Sequence, residues 1–262
     1  MGSGMGTSSI LAAAILAVLM TLKGEPYTTE DLLYMALDVE QMMNTGGGWQ
    51  DQVGGILPGF KVSTCELGLP VQLKANQVDL PIEFVDQFNS KLLLIYTGQT
   101  RLAKNLLQTV LMNWTGQDQQ VVQTMHRLVQ DATRCEDALK KGCIPEIGTI
   151  LTRYFSDKRF LSETTLSHPP VVARLLTHLG PYIEGASLAG AGGGGFLAAL
   201  VKEGHDRDTV VTAVRAAMAK EVSEDRVQPD PEKHDANEAS MWAWQATVDT
   251  QGLIVRIGKE CT

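Results

Sequence analysis

Gly2-Ser3-Gly4-Met5-Gly6-Thr7-Ser8-Ser9, followed at once by Ile10 to Met20, restricts the possible folds more than any other stretch of the chain. Glycine at every second position permits positive φ and lets a backbone or a ligand come close. Thr7, Ser8 and Ser9 are good N-cap types, and Ala12 to Met20 favours helix. The pattern predicts a tight loop feeding a helix N-terminus. Free N–H groups and the helix dipole there favour an anion, most commonly phosphate. No Lys follows the last glycine, so this is not a Walker A loop. Ile10 to Met20 is eleven residues, too short to span a bilayer. No Lys or Arg precedes Lys23, so the stretch lacks the positive n-region of a signal peptide.

Composition sets the wider limits. The chain has 262 residues, 44% hydrophobic and 20% charged, enough for one large domain or two small ones. A net charge of −8 without a basic stripe argues against nucleic acid as a partner. No membrane partner is expected either. Cys65, Cys135, Cys143 and Cys261 are widely spaced, with no CxxC and no His at ligand spacing. They read as free thiols in a reducing compartment, so a cytoplasmic location is expected and a zinc site is not.

Further along, Thr28-Thr29-Glu30-Asp31 is a capping run before an amphipathic helix of about Thr29 to Met43. Asn44 to Gly48 then breaks the chain sharply. Trp49-Gln50-Asp51-Gln52-Val53-Gly54-Gly55 reads either as a polar turn between helix and strand or as a site, an acid between two amides. Leu92 to Tyr96 is a buried strand closed by Thr97-Gly98. Helical spacing covers about Arg101 to Met112, Gln119 to Lys140, Ile144 to Phe155 and Pro169 to Leu179. A second glycine-rich stretch, Gly190 to Gly195, precedes a strand at Phe196 to Val201. Asp206 to Val222 reads as helix, and Ser223 to Ser240 as a charged loop. Trp242 to Val248 and Leu253 to Ile257 read as a closing hairpin around Asp249 to Gly252. Strands early and late with helices between predict an α+β fold. The five histidines fall in no ligand or triad spacing.

Three stretches form a set: Gly2 to Ser9, Gln50-Asp51-Gln52, and Gly190 to Phe196. In this order and at these separations they resemble the second and third motifs of the GHMP small-molecule kinases. Within that superfamily the closer resemblance is to the L-fucokinases. It is carried by Gly46 to Gly55, Tyr96 to Gln108, Ser187 to Leu197 and Val248 to Leu253. The looser pattern is shared with heptose-phosphate kinases. The resemblance implies a GHMP kinase fold: a ribosomal protein S5 domain 2-like N-terminal part, here truncated, over residues 1–85, and a ferredoxin-like C-terminal part over 86–262. It implies that the chain, starting inside the second motif, is a piece of a longer protein, with a sheet edge left uncovered. In the full-length protein it raises fusion to a GDP-fucose pyrophosphorylase-type domain.

The activity so implied is ATP-dependent phosphorylation of the anomeric hydroxyl of L-fucose to fucose 1-phosphate, for GDP-fucose salvage, with ATP and Mg²⁺ as cofactors and sugar and ATP as the small-molecule partners. Asp51 would be the catalytic carboxylate, as a base or electrostatically. Gly4, Met5, Gly6, Thr7, Ser8, Ser9, Gly192 and Gly193 would hold the ATP phosphates. Ser8 would ligate Mg²⁺, and so would Glu40, eleven residues before Asp51. Gly48, Trp49, Gln50, Thr97 and Gly98 would line the sugar. Arg101 reads equally as a phosphate contact or a helix salt bridge. The alternatives are an inactive or nucleotide-binding-only fragment, or a heptose-phosphate or galactose kinase.

Overall fold

A computed structural model of the protein describes residues 4–43, 47–97, 103–161, 170–190, 192, 194–224 and 243–256. The chain divides into two compact units, one from residues 5–79 and 248–262, the other from 1–4 and 80–247.

The smaller unit holds α1 (Thr7–Lys23), α2 (Thr29–Met42), α3 (Gln50–Ile56), β1 (Lys61–Glu66) and β2 (Gln72–Gln77). α1 starts where the glycine loop ends, and Gly24 closes it by donating its N–H to the Met20 and Thr21 carbonyls. α2 opens on the expected capping box. Thr28 Oγ1 accepts the Asp31 N–H at 3.1 Å, and Asp31 Oδ2 accepts the Thr28 N–H at 2.7 Å. That backbone hydrogen bond, with a second from the Thr28 hydroxyl, holds the Asp31 carboxyl below the usual carboxylate range. The core is a cluster of Ala13, Leu33, Ala36, Val53 and Ile56, flanked by Leu16, Trp49, Leu73 and Leu253. α3 lies close against α1: a β-carbon on Gly55 would overlap the Ile10 side chain. β1 and β2 pair antiparallel from Lys61↔Gln77 to Glu66↔Gln72, and the Leu73 N–H donates to the Tyr34 hydroxyl at 2.9 Å. Leu11, Ile15, Val18, Leu19 and Leu22, on the outer face of α1, are exposed.

The larger unit contains α4 (Ile82–Lys91), β3 (Leu92–Tyr96), α5 (Ala103–Thr115), α6 (Gln119–Lys140), α7 (Ile144–Leu161), α8 (Pro170–Leu179), β4 (Ile183–Leu188), β5 (Phe196–Val201), α9 (Arg207–Glu224) and β6 (Ala243–Gln245). Its sheet runs in the order β4-β5-β3-β6, with every pair antiparallel. That is the split β-α-β order of a ferredoxin-like domain, as expected for the C-terminal part. Leu93, Ile95, Leu197 and Ala199 are fully buried, in one core with Phe155, Val172, Leu175 and Val210. α7 packs backbone to backbone on β4, where a β-carbon on Gly185 would collide with the Gly148 carbonyl. α7 is tied to α6 by two ion pairs whose carboxylates are buried, Arg127–Asp157 at 2.9 Å and Arg153–Asp131.

Three expectations are corrected. Gln50 to Gly55 is a short helix, not a polar turn. α7 continues past Phe155 to Leu161, because Asp157 is not solvated but buried against Arg127. The closing hairpin does not form: β6 pairs with β3, Leu93 opposite Gln245 and Ile95 opposite Ala243. Asp249 does make a turn, its carboxylate accepting the Gln251 and Gly252 N–H groups at 2.9 and 3.1 Å. The chain after it goes elsewhere, the Leu253 N–H donating to the Ile56 carbonyl at 3.0 Å.

Candidate active site

In the smaller unit the site is built on the start of two helices. Gly6 is the N-cap of α1, at φ +62°, with no side-chain cap and no acidic residue in the first turn. No acidic residue within that turn offsets the helix dipole, which favours an anion at this end. Met5, Thr7 and Ser8 are exposed, and Ser9 is buried. The Ser9 hydroxyl donates to Glu40 Oε2 at 2.8 Å, and Gln52 Nε2 donates to the same oxygen at 2.8 Å. Ser9 on α1, Glu40 on α2 and Gln52 on α3 thus meet at one atom. Gln52 is fully buried, and its Oε1 has no hydrogen-bond partner among the described residues.

Asp51, one residue before Gln52, lies on the exposed side of α3. It stands against the end of the loop: a β-carbon on Gly6 would lie 3.1 Å from Asp51 Cγ and 3.3 Å from Oδ1. The loop end, Ser9, Glu40 and Asp51 are brought together. Ser8 is the neighbour of the serine that reaches Glu40, not that serine itself. Trp49 is the N-cap of α3 and packs on the core, and Gln50 is exposed. Gly48 lies so close to Gln50 that a β-carbon would overlap its side-chain oxygen.

The remaining candidates belong to the larger unit. A β-carbon on Gly4 would lie 2.7 Å from the Ala189 carbonyl oxygen, and one on Gly190 would lie 2.8 Å from Gly4 Cα. Neither position admits a side chain. Gly192 follows at φ +85°. Thr97 is buried, and both its N–H and its hydroxyl donate to the Gly195 carbonyl at 2.9 Å. It is bound into the second glycine-rich stretch. Gly98, Arg101 and Gly193 lie outside the described residues. One contributor escaped the sequence reading, Gln52, although it sat inside the Gln50-Asp51-Gln52 motif.

Among the described residues no helix is long and apolar enough to cross a membrane, and no group of three or more His, Cys, Asp or Glu is set to hold a metal. Cys65, Cys135 and Cys143 are unpaired. Burial pushes the Cys135 thiol up, and the charge of Asp131 adds to the effect.

Comparison with known proteins decides the family. Residues 1–59 match the GHMP kinases N-terminal domain, and residues 135–220 match the GHMP kinases C-terminal domain. The chain belongs to the GHMP kinase family. Among curated GHMP kinases it is 34% identical over 202 residues to the bifunctional fucokinase/GDP-fucose pyrophosphorylase of Arabidopsis thaliana, covering 77% of this chain and 19% of that protein. It is 30% identical over 202 residues to the L-fucokinase/L-fucose-1-P guanylyltransferase of Bacteroides fragilis, covering 77% of this chain and 21% of that protein. The chain thus spans about a fifth of the length of these relatives. The solved structure of a D-glycero-D-manno-heptose 1-phosphate kinase from Bacteroides thetaiotaomicron shares the GHMP fold, with a TM-score of 0.60 at 22% identity. That match covers 82% of this chain and 58% of the other. ATP binding is implied by membership of the family.

Proposed function

We propose that this chain is part of a sugar 1-kinase that transfers the γ-phosphoryl group of ATP to the anomeric hydroxyl of L-fucose. The observation that carries the reaction class is the Asp51 carboxyl set against Gly6, the last glycine of a phosphate-type loop. Phosphoryl transfer needs positioning and charge neutralisation more than covalent chemistry. Backbone N–H groups from Gly4 to Ser9 hold the phosphates, with Gly192 and Gly193 contributing from the third motif. Asp51 orients or deprotonates the attacking hydroxyl. Gly48, Trp49, Gln50, Thr97 and Gly98 serve the sugar. The choice of fucose rests on the two relatives, which are fucokinases by name.

A hard divalent cation suits the oxygen donors present. Ser8 and Glu40 would hold Mg²⁺, which bound with ATP neutralises phosphate charge. Ser9 and Gln52 fix the Glu40 carboxylate from two sides, which supports that assignment. We further propose that residues 1–85 are the remainder of the ATP-binding domain and 86–262 the C-terminal domain. Fusion to a GDP-fucose pyrophosphorylase-type domain in a longer protein is supported by both relatives being bifunctional. A cytoplasmic location is supported by the unpaired thiols.

The test is ADP release with Mg·ATP and L-fucose, alongside D-galactose and no sugar. Fucose-dependent release is expected, and Asp51→Asn should lower it by about 10²- to 10⁴-fold with nucleotide affinity nearly unchanged. Release that ignores fucose, or an Asp51→Asn protein as fast as the wild type, rejects the reading.

A further inference from the structure

Lys158 belongs to none of the glycine-rich stretches, yet its ammonium lies at one of them. α7 is laid along β4 by the close approach of Gly148 to Gly185 and by the Ala186 N–H donating to Thr152 Oγ1 at 3.3 Å. The same helix, continued past Phe155, carries Lys158 to the end of β4, where the glycine-rich turn begins. There Lys158 Nζ donates to the Leu188 carbonyl at 3.3 Å and to the Gly190 carbonyl. The ammonium is 4.8 Å from the centre of the Tyr154 ring, within cation–π range. A β-carbon on Gly192 would be 3.8 Å from Lys158 Cε, so the lysine stem also lines the next glycine.

The turn needs such an anchor. Gly190 and Gly192 adopt φ of +60° and +85°, and glycine has more backbone freedom to lose than any other residue. Thr97 fixes the far end through the Gly195 carbonyl. Lys158 fixes the near end, beside the point where Gly190 presses on Gly4. It also brings a positive charge to the turn after β4, which has no Lys or Arg of its own.

We propose that Lys158 is the positioning residue of the glycine-rich turn after β4. It sets the turn's backbone and lends its charge to an anionic ligand, the polyphosphate of a nucleotide. The second half of this statement rests on the nucleotide reading above, and the test separates the two. Hydrogen exchange without nucleotide is followed at the Ala189, Gly190 and Gly192 amides in wild type, K158M and K158R. K158M should exchange at least about tenfold faster there, with the α7 amides up to Phe155 and the Tm unchanged, and K158R should restore protection. Calorimetry should then show Mg·ATP binding about tenfold weaker in K158M and partly recovered in K158R, with adenosine binding equal in all three. If K158M does not fold, K158Q, which keeps much of the stem and loses the charge, is read the same way. Wild-type exchange in the turn of the uncharged variant overturns the proposal. So does faster exchange spread through α7 and the sheet, which marks a merely structural lysine, or unchanged Mg·ATP affinity in K158M. Where the wild type itself binds no Mg·ATP, faster exchange of K158M confined to the turn upholds the positioning role and rejects the nucleotide reading, and the affinity comparison does not apply.

Discussion

In the larger unit, Leu93, Ile95, Leu197 and Leu200 are fully buried in a four-stranded sheet that packs with Phe155, Val172 and Leu175. In the smaller unit the buried cluster is Ala13, Leu33, Ala36, Val53 and Ile56, beside a sheet of two strands. The first orders itself by large apolar side chains, each fully buried one contributing about 1.5–3 kcal/mol. The second relies on small residues that let helices touch, and spends buried volume on polar groups: Ser9 and Gln52 are as buried as its core. Preorganised polar groups suit chemistry, but each is a liability if its partner is lost. The smaller unit should therefore be more sensitive to polar substitutions, and the larger to changes in packing.

The largest effect is expected from Gly185→Ala. The new methyl would meet the Gly148 carbonyl, backbone against backbone, with no flexible side chain to give way. Overpacking at such a contact costs about 3 kcal/mol or more. Urea unfolding followed by hydrogen exchange in β4 and β5 measures it, with Gly54→Ala as the control. Gly54 sits in α3 with nothing within 4 Å of its would-be β-carbon, and alanine there should be neutral or stabilising by up to about 1 kcal/mol. A Gly185→Ala protein within about 1 kcal/mol of wild type would break the packing half of the comparison.

Gln52→Glu probes the polar half. It puts a second carboxylate, buried, within hydrogen-bond range of Glu40 Oε2, now 2.8 Å from the Gln52 amide. Two such groups cannot both stay ionised, so one carboxyl pKa rises above its unfolded value. The sign follows from linkage. The strained pair is least stable when both groups must ionise, at high pH, and is relieved as the pH falls through the raised pKa. We expect a loss of about 2–4 kcal/mol at pH 8 that shrinks by more than about 1 kcal/mol at pH 5. Thermal melts at the two pH values measure it. A pH-independent loss would mean that Gln52 matters by shape and not by its hydrogen bond.

The sequence carried most of the helices and the strands β3 and β5, because Leu and Val at three-and-four spacing and the runs Leu92 to Tyr96 and Phe196 to Val201 are local signals. It also carried the loop that opens α1 and the acid at Asp51, because glycine and acidic residues in short motifs are local as well. What it hid was not local. The β1–β2 hairpin has the polar sequences Lys61–Glu66 and Gln72–Gln77, mostly exposed, so no alternation announces it. Leu253 returns to Ile56 across nearly two hundred residues. Lys158 lay beyond the point at which Ser156-Asp157 breaks the apolar spacing of α7. The buried Arg127–Asp157 pair and the buried Leu161 hold the helix beyond it. The Ser9–Glu40–Gln52 junction joins three helices at one oxygen, and no spacing rule connects residues 31 and 12 apart.

The smallest effect is expected on the outer face of α1, and it sharpens the comparison from inside one helix. Ala17 is fully buried, and Ile15 and Leu19, two residues to either side, are about half exposed. Ala17→Leu adds three carbons where α1 already lies close to its neighbours, and should cost about 1–3 kcal/mol. Ile15→Ser and Leu19→Ser remove apolar surface that folding shields only in part, and each should change stability by about 1 kcal/mol or less. Chemical unfolding of the three variants side by side measures the contrast. If the serine variants lost as much as Ala17→Leu, the outer face would be a buried face in solution, and the smaller unit would have a larger core than Ala13, Leu33, Ala36, Val53 and Ile56.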